Sequence, residues 1–214
     1  MKLVVSNCSK TIHGIPVLES VSLEAESGMV VGLAGVNGSG KTMLLRAISG
    51  LIAAGGTIEI DGEKIGKDID FPSNIGVLIE NPAFLPSRTG LDNLMLLLSL
   101  EGCGDCDVAK RALVSVGLSP DDSRKYRKYS LGMRQRLGLA AAFMNDHGIL
   151  LLDEPTNALD PNGVELFKQQ LCAAKERGAL LVVASHDMSV LHDCCDVVYT
   201  MAEGKITRRE VVEK

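Results

Sequence analysis

Apolar and polar positions alternate over residues 2–7 and again over 21–26, the pattern of half-buried strands. Residues 29–34 (MVVGLA) break that alternation with a continuous apolar run, as a strand covered on both faces does. A glycine cluster follows at once, and the pattern predicts a helix over 43–49. Further strands are predicted at 57–60 and 75–79. The character then changes around Pro82, Pro86 and Thr89, with helical spacing over 91–100 and 108–117, a charged link over 121–128, and a helix over about 130–144. Two more buried strands, 149–153 (ILLLD) and 179–185 (ALLVVAS), flank a helix over about 161–177, and 196–201 with 205–210 read as a closing hairpin across Glu203–Gly204. Strands alternating with helices imply an α/β core with a mostly parallel sheet. The strand-poor stretch 86–145 reads as a helical lobe inserted into a core formed by 1–85 and 146–214, within a single domain.

Composition narrows the class. The chain has 214 residues, 46% hydrophobic and 23% charged, which excludes a disordered polypeptide. Aromatic residues are 3% with no Trp, and the formal net charge is −5, so neither a base-stacking surface nor a nucleic-acid coat is expected. The longest nearly unbroken apolar stretches, 94–100 and 137–144, fall far short of the roughly 20 residues of a membrane-crossing helix. With no signal-peptide pattern at the start, a cytoplasmic protein is expected. Of the six cysteines, Cys103 and Cys106 form a C-x-x-C and Cys194 and Cys195 are adjacent. No second ligand pair at matching spacing accompanies them, so they read as reduced, inert thiols.

The glycine cluster carries the strongest chemistry. Gly35, Val36, Asn37, Gly38, Ser39, Gly40, Lys41 and Thr42 fit G-x-x-x-x-G-K-[ST] between a buried strand and a helix. Glycines let backbone N–H groups approach phosphates, Lys41 neutralises the β/γ-phosphates, and the Thr42 hydroxyl suits Mg²⁺. This chain is therefore expected to bind a nucleoside triphosphate. Asp153 and Glu154 end the strand ILLLD, where ligands bind in open α/β sheets. Asp153 suits the metal and its water, and Glu154 suits the attacking water, as base or orienting group. His186 follows another buried strand at the same sheet edge, within reach of a γ-phosphate, although a histidine taken alone is more often structural. Ser130, Leu131 and Gly132 open a helix. Ser130 is a good N-cap and Gly132 permits close approach, so either a plain capped helix or a second anion site fits. The surrounding Arg124, Lys125, Arg127, Lys128, Arg134 and Arg136 read first as a solvated face, then as phosphate attraction.

The order GVNGSGKT, YSLGMRQR, ILLLDEP, NALD and SHD resembles the ATP-binding cassette of an ABC transporter, over essentially the whole chain. The resemblance implies a P-loop NTPase (RecA-like) core with an antiparallel N-terminal β element. It also implies ATP and Mg²⁺ as cofactors, and a head-to-tail dimer with a second cassette, either a homodimer or a close paralogue. Each of two ATPs would then lie on Gly35–Thr42 of one chain and on Ser130–Gly132 of the other. Asp160, in NALD, would belong to the loop that crosses that interface. Three departures stand out. Met43 replaces a Ser or Thr that contacts the α-phosphate. Glu80 replaces the glutamine that links Mg²⁺ to the transmembrane partner. Ile12 and His13 occupy the place of the adenine-stacking aromatic. Glu80, YSLGMRQR and the short chain resemble cassettes of small bacterial exporters of the bacitracin-resistance and lantibiotic-immunity type. That resemblance implies a separate integral membrane permease, which would dock beside Glu80 with Phe84 and Leu85 as candidate contacts, and a location on the inner face of the cell membrane. The alternative is a soluble ABC-type ATPase without a permease, such as an iron–sulfur assembly ATPase. A P-loop kinase would leave YSLGMRQR unexplained.

Overall fold

The computed structural model describes residues 1–80, 82–102 and 104–213. Six strands form the main sheet: β3 (Val30–Ala34), β6 (Ile75–Leu78), β7 (Ile149–Asp153), β8 (Leu180–Ser185), β9 (Val197–Ala202) and β10 (Lys205–Val211). Their order is β10-β9-β3-β8-β7-β6, parallel throughout except for the β9–β10 hairpin. β3, β7 and β8 are buried at every residue, which is why they read as unbroken apolar runs rather than alternations. Successive residues serve opposite faces. Leu180, Val182 and Ala184 join one core cluster, and Leu181 and Val183 join the other.

The first cluster is closed by an antiparallel sheet and by α1 (Lys41–Ile48), which contributes Leu44, Leu45 and Ile48. That sheet has the order β2-β1-β4-β5, with β1 Lys2–Ile12, β2 Ile15–Glu26, β4 Gly55–Ile60 and β5 Glu63–Lys64. β1 and β2 run five or six residues beyond the alternating segments, to a hairpin tip at His13–Gly14. Register shifts between Val5 and Thr11, with Asn7 and Ser20 in the left-handed region, break the two-residue period there and hide the strand ends in the sequence.

The second cluster joins the other sheet face to five helices: α2 (Gly90–Leu100), α3 (Cys106–Ser115), α4 (Leu131–Phe143), α5 (Pro161–Glu176) and α6 (Met188–Cys194). One apolar network thus runs from Leu150 and Leu152 of the sheet through Leu137 and Leu139 of α4 to Leu94 and Leu98 of α2. The α4–β6 contact is close: a Cβ on Gly76 would lie 2.1 Å from the Ala142 carbonyl. A capping box of Thr89 with Asp92 starts α2. Helix α6, absent from the sequence pattern, is short and capped by Asp187 through Ser189 N–H (2.9 Å). The charged link ends in a 3₁₀ turn, Tyr126–Lys128, whose Tyr126 hydroxyl donates to the Pro82 carbonyl. Of the C-x-x-C pair, Cys106 opens α3 and Cys103 lies outside the described residues.

Candidate functional site

The functional edge is the C-terminal end of the parallel strands. Between β3 and α1 the chain wraps into a loop that ends at Gly40, whose φ of 107° belongs to the left-handed region. A Cβ there would lie 2.9 Å from the Val17 carbonyl, so glycine is needed for both conformation and space. Helix α1 then starts with no side-chain cap, leaving its first N–H groups directed outward. A cavity of about 550 Å³ lies over them, lined by Asn37 through Met43, Asp153, Glu154, Ile12, His13, Ile15 and Val17. Its wall toward the β1–β2 tip is apolar, with the His13 imidazole beside it. Ile15 and Val17 were not singled out by the sequence motifs. Their only signal is that they follow the hairpin turn.

Lys41 is only 5% exposed. Its Nζ donates to the carbonyls of Gly35 (2.5 Å) and Val36 (3.2 Å) and lies 3.7 Å from Oε1 of Glu154. The Thr42 hydroxyl donates to Oδ2 of Asp153 at 2.6 Å. Burial pushes the Asp153 carboxyl above the usual carboxylate range, with Glu154 adding to that shift and the Thr42 hydrogen bond opposing it. Glu154 follows β7 with φ 47° and is oriented from several sides. Its Oε2 lies 2.8 Å from Nδ1 of His186 and 3.4 Å from the Ser185 hydroxyl, and its carbonyl accepts from Gln135 Nε2 (3.2 Å). Gln135 lies on α4, so the helix opened by Ser130 is tied directly to the carboxylate segment. No motif or spacing signals that tie.

Other residues singled out by the sequence are not among those lining this cavity. Ser130 caps α4, accepting from Met133 N–H at 3.2 Å. Leu131 is 64% exposed. Gly132 packs against the loop before α5, where a Cβ would meet the Ala158 carbonyl at 2.8 Å. Asp160 caps α5 through Gly163 N–H (2.9 Å) and pairs with Arg136 at 2.5 Å, and these contacts hold its carboxyl below the usual range. Glu80 lies on the same sheet edge as Glu154 but is paired with Arg46 at 2.7 Å. Phe84 packs edge-on against Tyr126, whereas Leu85 is 46% exposed.

Three buried oxygens in this region have no hydrogen-bond partner within the chain: Ser39 Oγ, Asp153 Oδ1 and Glu154 Oε1. Orphaned buried oxygens beside an uncapped helix start suit a hard cation and a polyanionic ligand. Together, the strand–glycine loop–helix, the paired acids at the sheet edge and the helical insert define a nucleotide-hydrolysing P-loop protein.

Comparison with known proteins makes this specific. Residues 18–157 match the ABC transporter family, and the chain belongs to that family. It is an ABC transporter ATP-binding subunit and an ATPase. The chain is 42% identical over 209 residues to YybJ of Bacillus subtilis strain 168, an uncharacterized ABC transporter ATP-binding protein, covering 97% of this chain and 96% of YybJ. It is 34% identical to the bacitracin transport ATP-binding protein BcrA of Enterococcus faecalis, covering 94% of this chain and 66% of BcrA. It is 31% identical to the lantibiotic transport ATP-binding protein SrtF of Streptococcus pyogenes, covering 95% of this chain and 88% of SrtF. Among solved structures, the dimeric bacterial ABC transporter cassette MJ0796 superposes with a TM-score of 0.89 at 26% identity, covering 99% of each chain. The same cassette in a post-hydrolysis state with ADP and Pi gives 0.87, covering all of both chains. The P-loop α/β fold expected from the motifs is the fold observed.

Proposed function

We propose that this chain pairs head-to-tail with a second cassette around two ATPs and powers a separate membrane permease that works as an exporter. Lys41, Glu154 and His186 carry this reading, because Lys41 and Glu154 line the cavity with the Thr42–Asp153 pair and His186 contacts Glu154. The loop from Gly35 to Thr42, with Met43, wraps the phosphates, and Ile12 and His13 face the base. Thr42, Asp153 and Glu80 would hold Mg²⁺, which when bound neutralises phosphate charge. Glu154 takes the proton of the attacking water or orients it, and His186 fixes the direction of that carboxylate. Lys41 rests on two carbonyls and on Glu154. A γ-phosphate offers it a stronger acceptor.

Ser130, Leu131 and Gly132 supply the other side of the partner's ATP, and Asp160 sits in the loop that meets the partner. Their placement outside the chain's own cavity supports a site shared between two cassettes. The nucleotide-bound dimer reported for MJ0796 supports the same arrangement. Residues 1–85 and 146–214 form the ATPase core of a single domain, and 86–145 form the lobe that couples it to the permease. Among the described residues no helix is long and apolar enough to cross a membrane, so a permease would supply the spans. The names of BcrA and SrtF support an exporter of peptide antibiotics, acting from the inner face of the membrane.

The test is purification of the tagged chain from detergent-solubilised membranes of its native host, with multi-span proteins in the eluate identified by mass spectrometry. A stable complex in which the permease alters ATP turnover is the expected result. A chain that never associates with a multi-span protein would favour an ABC-type ATPase without a permease.

A further inference from the structure

Arg46 belongs to none of the motifs. It lies on α1, five residues after Lys41, and its Nη2 is 2.7 Å from Oε1 of Glu80. Glu80 leaves the end of β6 with φ 60°, as Glu154 leaves β7 with φ 47°. The parallel pairing of Leu78 with Leu152 sets these two acids side by side on one sheet edge. Three carboxylates therefore gather there, Asp153, Glu154 and Glu80, and two cations of α1 answer them: Lys41 faces Glu154 and Arg46 faces Glu80.

The Arg46–Glu80 pair is a poor device for stability. The side chains are 31% and 56% exposed, and exposed pairs contribute about 0–1 kcal/mol. Its consequence is directional. A carboxylate with one oxygen 2.7 Å from a guanidinium nitrogen has its charge offset and that oxygen turned toward α1. A glutamine at position 80 would leave Arg46 with no counter-charge, so the two residues make sense together. We propose that Arg46 is a positioning residue for Glu80: it holds this carboxylate toward α1 and sets how much of its charge reaches a divalent cation at Thr42 and Asp153. The proposal rests on the assignment of Glu80 to the metal side of the site.

Mn²⁺ serves as the probe, its affinity for the ADP-loaded protein read by electron paramagnetic resonance, independent of turnover. The proteins are wild type, Arg46→Met, Glu80→Gln, the double variant and Arg46→Lys. Arg46→Met should tighten Mn²⁺ about tenfold when Glu80 is present and no more than about twofold in the Glu80→Gln background, a coupling of the size seen for contacting residues. Arg46→Lys, which keeps the pair, should stay within about twofold of wild type. Equal changes in both backgrounds would overturn the role of Arg46 while leaving Glu80 on the metal side. If Glu80→Gln leaves the affinity unchanged with and without Arg46, the Glu80 assignment itself falls. Arg46→Gln provides the same comparison should the methionine variant fail to fold.

Discussion

Two helix starts in this molecule look alike in sequence and differ in construction. Helix α1 begins after Gly40 with no side-chain cap, over a cavity walled by the chain's own Lys41, Asp153 and Glu154. Helix α4 begins at Ser130 with its cap made, beside an exposed Leu131 and outside that cavity. The first leaves backbone donors and buried oxygens for a ligand to satisfy. The second has one donor, Met133 N–H, satisfied by its own cap and meets none of the chain's own cavity. The two starts thus differ in surroundings: α1 opens into the chain's own cavity, and α4 opens away from it with one first-turn donor taken by Ser130.

Variants on the two sides should separate this difference. Glu154→Gln should lower ATP turnover by roughly 10²–10⁴-fold while binding persists, measured by phosphate release beside calorimetry. Wild-type turnover would remove Glu154 as the base. Lys41→Ala should weaken nucleotide binding to a single chain by about tenfold or more, from the loss of charged hydrogen bonds. Unchanged affinity in calorimetry would break the cradle half of the comparison.

Asp153 gives a change of opposite sign. Its folded-state pKa is raised chiefly by burial, so the folded chain binds the proton more tightly than the unfolded one. Stability is then lost as pH rises above 3.8, and ionised Asp153 is a cost at neutral pH. Asp153→Asn should therefore melt higher than wild type without nucleotide, an advantage that shrinks toward low pH, while gaining less from ATP with Mg²⁺. A lower melting temperature at neutral pH would contradict this electrostatic account. The smallest effect falls on α4: Ser130→Ala should cost about 1 kcal/mol in thermal unfolding. It should leave the nucleotide affinity of one chain unchanged while weakening ATP-driven association. Loss of single-chain affinity would erase the distinction between the two helix starts.

What could be read from the sequence follows from how local each feature is. β3, β7 and β8 showed as apolar runs because both their faces are covered, and the phosphate loop showed because its spacing is dictated by the backbone path alone. The ends of β1 and β2 were hidden by bulges, and α6 by its length of only seven residues, too short to repeat a helical period. Partnerships across the fold left no trace in spacing. Gln135 reaches Glu154 from the lobe, and Arg46 reaches Glu80 from α1, through contacts that only the packed sheet edge creates. Ile15 and Val17 enter the cavity because β2 turns back over the loop, a consequence of hairpin length rather than of any motif.

In the proposed dimer the open start of α1 meets the capped start of α4 across two cassettes. The direct measurement is the solution mass of the Glu154→Gln chain by light scattering, with and without saturating ATP and Mg²⁺. The expected result is about twice the single-chain mass of 22.8 kDa with ATP and the single-chain mass without it. A mass that stays at 22.8 kDa while calorimetry shows ATP bound would contradict the claim.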